Sequence, residues 1–285
     1  MTHPLPISVF IIAKDEADRI VHTLRSLEGW VDEVIVVDSG STDDTIDLST
    51  QMGATVYAHT WEGYGPQKCF AESKCTHRWL LNLDADEAIS DALKNEIQDL
   101  FTDGPPSISM WRLPILIMSR FASKPGRFAP SNKPVRLYDR KVAGFRPSLV
   151  HDSVIPKKGF EGTPIASCQH PVWHRCFRSL SHAVSKINFY STMQAQDWVE
   201  KGRPVTTLRL IFEPFLAFLK AYFFRRYIFL GMDGLIESFI YAFARTLRLA
   251  KARERFLEVK NGLTDHSDSV GSPNNVIDSN KIIRL

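Results

Sequence analysis

The sequence predicts an α/β protein built on a mostly parallel sheet, followed by an amphipathic helical extension. Short apolar runs alternate with helix-period stretches through the first hundred residues. Small-residue or acidic segments follow several of those runs, and from about residue 178 to 258 the pattern is helical throughout. At 285 residues and 44% hydrophobic content, the chain is long enough to bury a sizeable core.

The elements follow in order. ISVFIIA (7 to 13) is an apolar run suited to a strand buried on both faces, and KDEADRIVHTLRSL then sets Ala17, Ile20, Val21, Leu24 and Leu27 at helical spacing. EVIVVDS (33 to 39) is a second strand. Thr42, Asp43 and Asp44 open a helix that Gly53 ends, and ATVYAHTW begins a third strand. GPQKCFAESKC is a helix, WLLNLDAD the next strand, and Ser90 caps a helix reaching Leu100 and Phe101. Beyond residue 103 the alternation fails: MWRLPILIM is strand-like, 119 to 133 is a polar loop able to move over a site, and PVRLYDR and SLVHDSVI are further short strands.

In such a sheet, ligands sit outside the carboxyl ends of the strands. Those positions here are Ala13 to Glu16, Asp38 to Ser41, and Asp84 to Glu87. The last group places three acids within four residues, where like carboxylates repel unless a cation screens them. The D-A-D at 84 to 86 puts two carboxylates on one side of an extended chain, within reach of one divalent cation or of a metal and a sugar hydroxyl. A solvated loop or helix N-terminus is the plainer reading of the tripeptide alone. An EF-hand is excluded, because the loop lacks that motif's glycine and final glutamate.

Charge is uneven. Residues 201 to 256 hold eleven Lys and Arg against four acids, so the rest of a +3 chain carries −4. Phe, Leu and Ile crowd the same segment, which favours an anionic membrane surface over nucleic acid as partner. Arg209, Glu213 and Lys220 share a narrow stripe that leaves a wide face of Leu208, Phe212, Phe215, Phe218, Leu219 and Phe223. Asp233, Glu237, Arg245, Arg248 and Arg255 form a second polar face, with GMDG (231 to 234) as the corner between the two pieces. Faces this apolar must be covered by protein or lipid. Uncharged runs are too short for a spanning helix, so none is expected. Four scattered cysteines and the lack of a basic, apolar leader suggest a reducing, cytosolic setting. Cys168, His170, His174 and Cys176 match no common zinc spacing, and Cys69 and Cys75 read as ordinary helix residues.

SVFIIAKDEADRI, VDEVIVVDSGSTDDT, HTWEGYGPQKCFA and WLLNLDADEAIS, in this order, closely resemble the family 2 glycosyltransferases, and most of all their lipopolysaccharide core glucosyltransferase branch. The likeness continues through KPVRLYDR, SLVHDSV and FLGMDG. It implies a GT-A fold, a Rossmann-like domain that binds a nucleotide sugar, over residues 1–177. A membrane-associating helical region (178–260) and a polar, frayed tail (261–285) follow. It also implies Mg2+ or Mn2+ at Asp84 and Asp86, with Asp38 on the base, Asp84 near the ribose, and Asp152 as general base. The branch more often has His-Glu where this chain has His151-Asp152. Ala13, Lys14, Glu16 and Ser39 complete the expected donor site with Lys68 and Arg136. Lys68 reaches a phosphate or is a surface lysine; Arg136 and Arg140 bind an acidic acceptor or flank a strand.

The implied activity is inverting transfer of a hexose, glucose from UDP-glucose, to a lipopolysaccharide core or other lipid-linked glycan at the inner face of the cytoplasmic membrane. A nucleotidyltransferase would carry a glycine-rich loop where AKDEA stands, and an aspartyl phosphatase would follow D-x-D with x-T or x-V rather than Glu-Ala. A non-catalytic, membrane-bound nucleotide-sugar-binding protein is the alternative of a different class.

Overall fold

The computed structural model describes residues 3–118, 122–126, 128–147, 153–175 and 178–261. The chain divides into two compact units, one of residues 1–118 with 131–176 and the other of 119–130 with 177–285.

The first unit opens with β1 (Leu5–Ala13), α1 (Ile20–Arg25), β2 (Val31–Asp38), α2 (Thr45–Gln51), β3 (Thr55–Ala58), α3 (Tyr64–Lys74) and β4 (Trp79–Asp84). β5 (Glu87–Ile89) and α4 (Asp91–Leu100) follow, with the Ser90 hydroxyl capping α4 by accepting from the Leu93 N–H. The strand-like MWRLPILIM divides at Leu113-Pro114 into β6 (Met110–Arg112) and β7 (Ile115–Ile117). β8 (Ser131–Asn132), β9 (Val135–Asp139), β10 (Ala143–Phe145), β11 (Val154–Pro156), β12 (Ile165–Ser167) and β13 (Val172–His174) complete the unit. The expected mostly parallel α/β architecture is present. Seven strands run in the order β12-β6-β9-β4-β1-β2-β3, and β9 alone lies antiparallel to its neighbours.

Fully apolar runs make this sheet, because both of its faces are covered. Ile7, Val9, Ile11, Leu81 and Leu83 pack in one core with Trp30, Leu93 and Ile97, while Phe10, Ile35, Val37 and Leu80 pack in another with Ala71 and Tyr138. Chain order runs from β1 outward to β3 and then returns to β4 on the other side of β1. That reversal opens a crevice at the carboxyl ends of β4, β1 and β2. Ala13 is in register with Asp38, and Ile12 with Asp84, so the three loops emerge side by side. A second sheet, β5-β13-β7-β8, pairs His174 with Glu87 and brings the end of β13 beside the D-A-D.

The second unit contains α5 (Leu180–Glu200), α6 (Thr207–Leu219) and α7 (Gly231–Lys260). Trp198 centres its core with Leu249 and Ala252, and the guanidinium groups of Arg209 and Arg248 lie 4.5 and 4.9 Å from its ring. The expected corner at GMDG lies earlier. A π-helical turn over 220–224 and a 3-10 turn over 227–230 carry the bend, with left-handed Arg226 (φ 63) between them, and α7 begins at Gly231 and runs through Met232 to Gly234. The sequence reading placed the break on the glycines, but the second one serves close packing. A Cβ on Gly234 would lie 1.8 Å from the Tyr227 carbonyl oxygen.

Tyr227–Lys260 is long and apolar enough to cross a membrane by length and composition, with mean hydropathy 1.3 over an 18-residue window. Asp233 and Glu237 interrupt the uncharged run without lowering the mean far, so counting uncharged residues and averaging hydropathy give different answers for this segment. The segment 262–285, expected to fray, lies outside the described residues, as do parts of the 119–133 loop and residues 148–152.

Gly234→Ala should destabilise the helical unit by roughly 1–3 kcal/mol, because backbone rather than a flexible side chain blocks the added methyl group. Urea unfolding followed by circular dichroism reads this; a stability within about 0.5 kcal/mol of the parent would show that the two turns can separate at little cost.

Candidate active site

The loops after β1 and β2 are stapled together by the small polar residues of DSGSTDDT. The Asp15 N–H donates to Ser41 Oγ (2.8 Å), the Glu16 N–H to Thr45 Oγ1 (2.7 Å) and the Thr42 N–H to Asp15 Oδ1 (2.7 Å). These bonds hold Asp15 in the left-handed region at φ 51, an uncommon backbone for a non-glycine residue. Asp38 is buried, with its Oδ1 accepting the Gly40 and Ser41 N–H groups at 2.9 Å each, and its Oδ2 accepting from the Ser41 hydroxyl. Gly40 sits at φ 88, where a side chain would be strained. Ser39 Oγ accepts from Gln67 Nε2 (2.9 Å), and Gln67 Oε1 faces His59 Nδ1 (2.8 Å).

Ion pairs dominate the ends of β4 and β5. Lys68, on α3, is buried; its ammonium donates to Asp84 Oδ1 (3.0 Å) and Asn82 Oδ1 (3.2 Å). The structure thus decides between the phosphate-reaching and surface readings of Lys68 in favour of an inward side chain. Arg136, on β9, is also buried; its Nη2 meets Asp84 Oδ2 at 2.9 Å and Glu87 Oε1 at 3.0 Å. Arg140 instead turns to the carbonyls of Cys75 and Glu72, which closes the end of α3. Asp86 is held by Arg19 Nη1 (2.9 Å) and His174 Nε2 (3.3 Å), and its carbonyl accepts the Arg175 N–H. Glu16 is engaged by the same Arg19 guanidinium.

Burial raises carboxyl pKa values and attraction lowers them, and the balance differs among Asp84, Asp86 and Glu87. For Asp84, burial pushes the pKa up, but Arg136 and Lys68 outweigh it and hold the group well below the usual carboxylate range. Asp86 is likewise lowered, with His174 and Arg19 overcoming burial. Glu87 goes the other way: burial and the neighbouring Asp84 charge raise it against the pull of Arg136. Burial depresses His174, but its bond to Asp86 and the charges of Glu87 and Asp84 lift it above the ordinary value.

The structure therefore brings Ala13, Asp38, Ser39, Lys68, Asp84, Asp86 and Arg136 to neighbouring strand ends and loops. Lys14 stands in the same β1 loop. Asp152 lies outside the described residues. Sequence reasoning missed Arg19, Asn82, Gln67 and the role of His174. Arg19 looked like one more polar residue of an amphipathic helix. His174 was read only as part of a metal-like spacing, which the structure breaks up: Cys168 is buried with its thiol pushed up to about 12, His170 pairs with Glu96, and His174 pairs with Asp86.

Asp84 and Asp86 offer hard oxygens, the donors Mg2+ and Mn2+ take. Among the described residues, no three His, Cys, Asp or Glu side chains converge as a ready-made cage. The donor set fits a cation that brings further ligands of its own, such as phosphate oxygens or water.

A profile of glycosyl transferase family 2 matches residues 8–154. An uncharacterized glycosyltransferase of Rickettsia felis is 45% identical over 260 residues, covering 90% of this chain and 92% of the relative. The lipopolysaccharide core biosynthesis glycosyltransferase LpsC of Rhizobium meliloti is 31% identical over 266 residues, covering 90% and 94%. Among solved structures, glucosyl-3-phosphoglycerate synthase of Mycobacterium tuberculosis, crystallised with Mn2+, UDP and glucosyl-3-phosphoglycerate, aligns at TM-score 0.41 and 18% identity over 70% of this chain and 80% of that one. A likeness that loose transfers neither ligand nor residue.

Glu16, Asp84, Asp86 and Glu87 face the permanent cations Arg19, Lys68 and Arg136 together with the His174 imidazole. A bare divalent ion thus meets little uncompensated negative charge. Lys68→Met should tighten binding of Mn2+ alone roughly tenfold by removing one competing charge. Paramagnetic resonance of free Mn2+ reads the affinity, with circular dichroism to verify folding; an unchanged or weaker affinity would mean that Lys68 does not compete with the metal.

Proposed function

The chain belongs to glycosyl transferase family 2 and is a glycosyltransferase, and we propose that it is a metal-dependent, inverting hexosyltransferase using a nucleotide sugar, UDP-glucose, and a lipid-linked glycan acceptor of the lipopolysaccharide core type. The observation that carries the donor part is the meeting of D-A-D carboxylates with Lys68 and Arg136 at the switch point of a parallel sheet. Support for the acceptor class is the likeness, over nearly the whole chain, to a relative named for lipopolysaccharide core biosynthesis.

Each residue's part follows from its chemistry. Asp38 accepts the imide N–H of a uracil at the end of β2, from a carboxylate already oriented by the Gly40 and Ser41 N–H groups. Ala13, Lys14, Glu16 and Ser39 line the approach of the nucleoside between β1 and β2. Lys68 and Arg136 turn toward the diphosphate, a role supported by their pairing with Asp84, while Arg19 fixes the Asp86 carboxylate. Mg2+ or Mn2+ on Asp84 and Asp86, when bound, neutralises charge developing on the leaving phosphate oxygens. Asp152 takes the proton from the acceptor hydroxyl as that oxygen attacks the anomeric carbon, and a single displacement inverts the centre. The acceptor class implies work at the inner face of the cytoplasmic membrane.

Asp86→Ala should weaken donor binding even at high metal concentration, whereas Asp152→Asn should bind donor and metal normally and lose roughly 10² to 10⁴ in transfer. Calorimetry of UDP-glucose binding beside a transfer assay separates the two; near-normal transfer by Asp152→Asn would move the base to another residue, and full activity of Asp86→Ala in chelator would refute the metal.

Asp38→Ala should raise the donor KM while the metal requirement persists. A thermal-shift panel of nucleotide sugars with Mn2+ tests the donor itself, and the absence of a shift with every one of them would count against both the transferase and the non-catalytic nucleotide-sugar-binding alternative.

A further inference from the structure

Helix α6 is turned inside out for a protein in water. Leu208, Ile211, Phe212, Phe215, Leu216 and Leu219 recur at helical spacing on one stripe, and all are exposed, from 45% for Leu219 to 68% for Phe215. The opposite side carries Glu213, only 13% exposed, whose carboxylate takes Arg245 at 2.7 Å and lies 3.6 and 3.7 Å from Arg209 and Arg248. Water would select the reverse arrangement, because burying charge is costly and burying six apolar side chains is favourable. α7 repeats the pattern at its start, where Met232, Ile236, Phe239 and Phe243 are exposed at helical spacing.

What covers this face is indicated by charge. In α6 and the bend, residues 206 to 232, there are four basic residues and one acid, the inward-facing Glu213, while the start of α7 adds the half-buried acids Asp233 and Glu237. Lys220, Arg225 and Arg226 stand exposed in the bend beside Phe224, which is 84% exposed. A second copy of the same surface would bring like charges together, whereas anionic headgroups over hydrocarbon answer both the basic and the apolar parts. α6 has 13 residues, about 20 Å at helical rise, and so is shorter than the roughly 30 Å hydrocarbon core.

We propose that the outer face of α6, the bend at 220–230 and the start of α7 form an interfacial docking surface for an anionic lipid bilayer. The helices lie along the membrane, with Phe215 and Phe224 below the headgroups and Lys220 and Arg226 among them. This surface belongs wholly to the helical unit and does not depend on the sugar transferred.

The test is flotation of the full chain with vesicles of phosphatidylcholine alone or with phosphatidylglycerol added. Binding should favour the anionic vesicles and weaken in high salt. Lys220→Glu with Arg226→Glu should lower partition to anionic vesicles roughly 30-fold, toward the neutral-vesicle level. Phe215→Gln with Phe224→Gln should lower it on the order of 100-fold on both vesicle types. These side chains are exposed, so circular dichroism should stay unchanged. The proposal is overturned if the parent floats with neither vesicle, if the aromatic pair of substitutions abolishes self-association in solution instead of lipid binding, or if the bound chain resists alkaline carbonate extraction as a spanning helix would.

Discussion

Negative charge crowded at the end of β4, half-buried at Asp84 and Asp86 and fully buried at Glu87, must be neutralised from elsewhere in the chain, and much of the architecture of the first unit answers that need. Asp84 and Glu87 share Arg136, which β9 delivers from its antiparallel place beside β4. Asp86 depends on Arg19 from the loop after β1 and on His174 from the end of β13. An unpaired carboxylate in such a place would either protonate or destabilise the fold, and the second sheet contributes to keeping Asp86 ionised by bringing His174 to it.

The same constraint makes the site responsive. Lys68 and Arg136 are held by side-chain oxygens rather than by rigid backbone, so under the proposed function an incoming diphosphate would offer them equivalent partners at small reorganisation cost. Asp38 is fixed differently, by backbone N–H groups around Gly40, which suits a contact whose geometry must not change. The backbone-fixed Asp38 and the ion-paired Asp84 thus end β2 and β4, the two strands that flank β1.

In the helical unit the rule of paired charge also holds, but in an unusual direction. Glu213 finds its arginines inside, and the apolar stripe is left outside. The stripe itself was legible in the periodicity of residues 208 to 219. Which way it faces was not, since a helical wheel is indifferent to what lies on either side of it. The displaced corner has a similar cause: Gly231 and Gly234 both look like breakers, yet the second is required by the close approach of Tyr227.

The sequence by itself determined the alternation of strand and helix, the parallel sheet, and the loops from which Asp38, Asp84 and Asp86 project, because apolar periodicity and turn chemistry act over a few neighbouring residues. It left Lys68 between two readings and hid Arg19 and His174, because nothing local to a basic residue says which acid it will meet. Those pairings join positions 19 to 86, 86 to 174 and 84 to 136. Only the tertiary structure could decide them, since a buried charge is stabilised by whatever the folded chain brings within hydrogen-bonding distance, however far apart the partners stand in sequence.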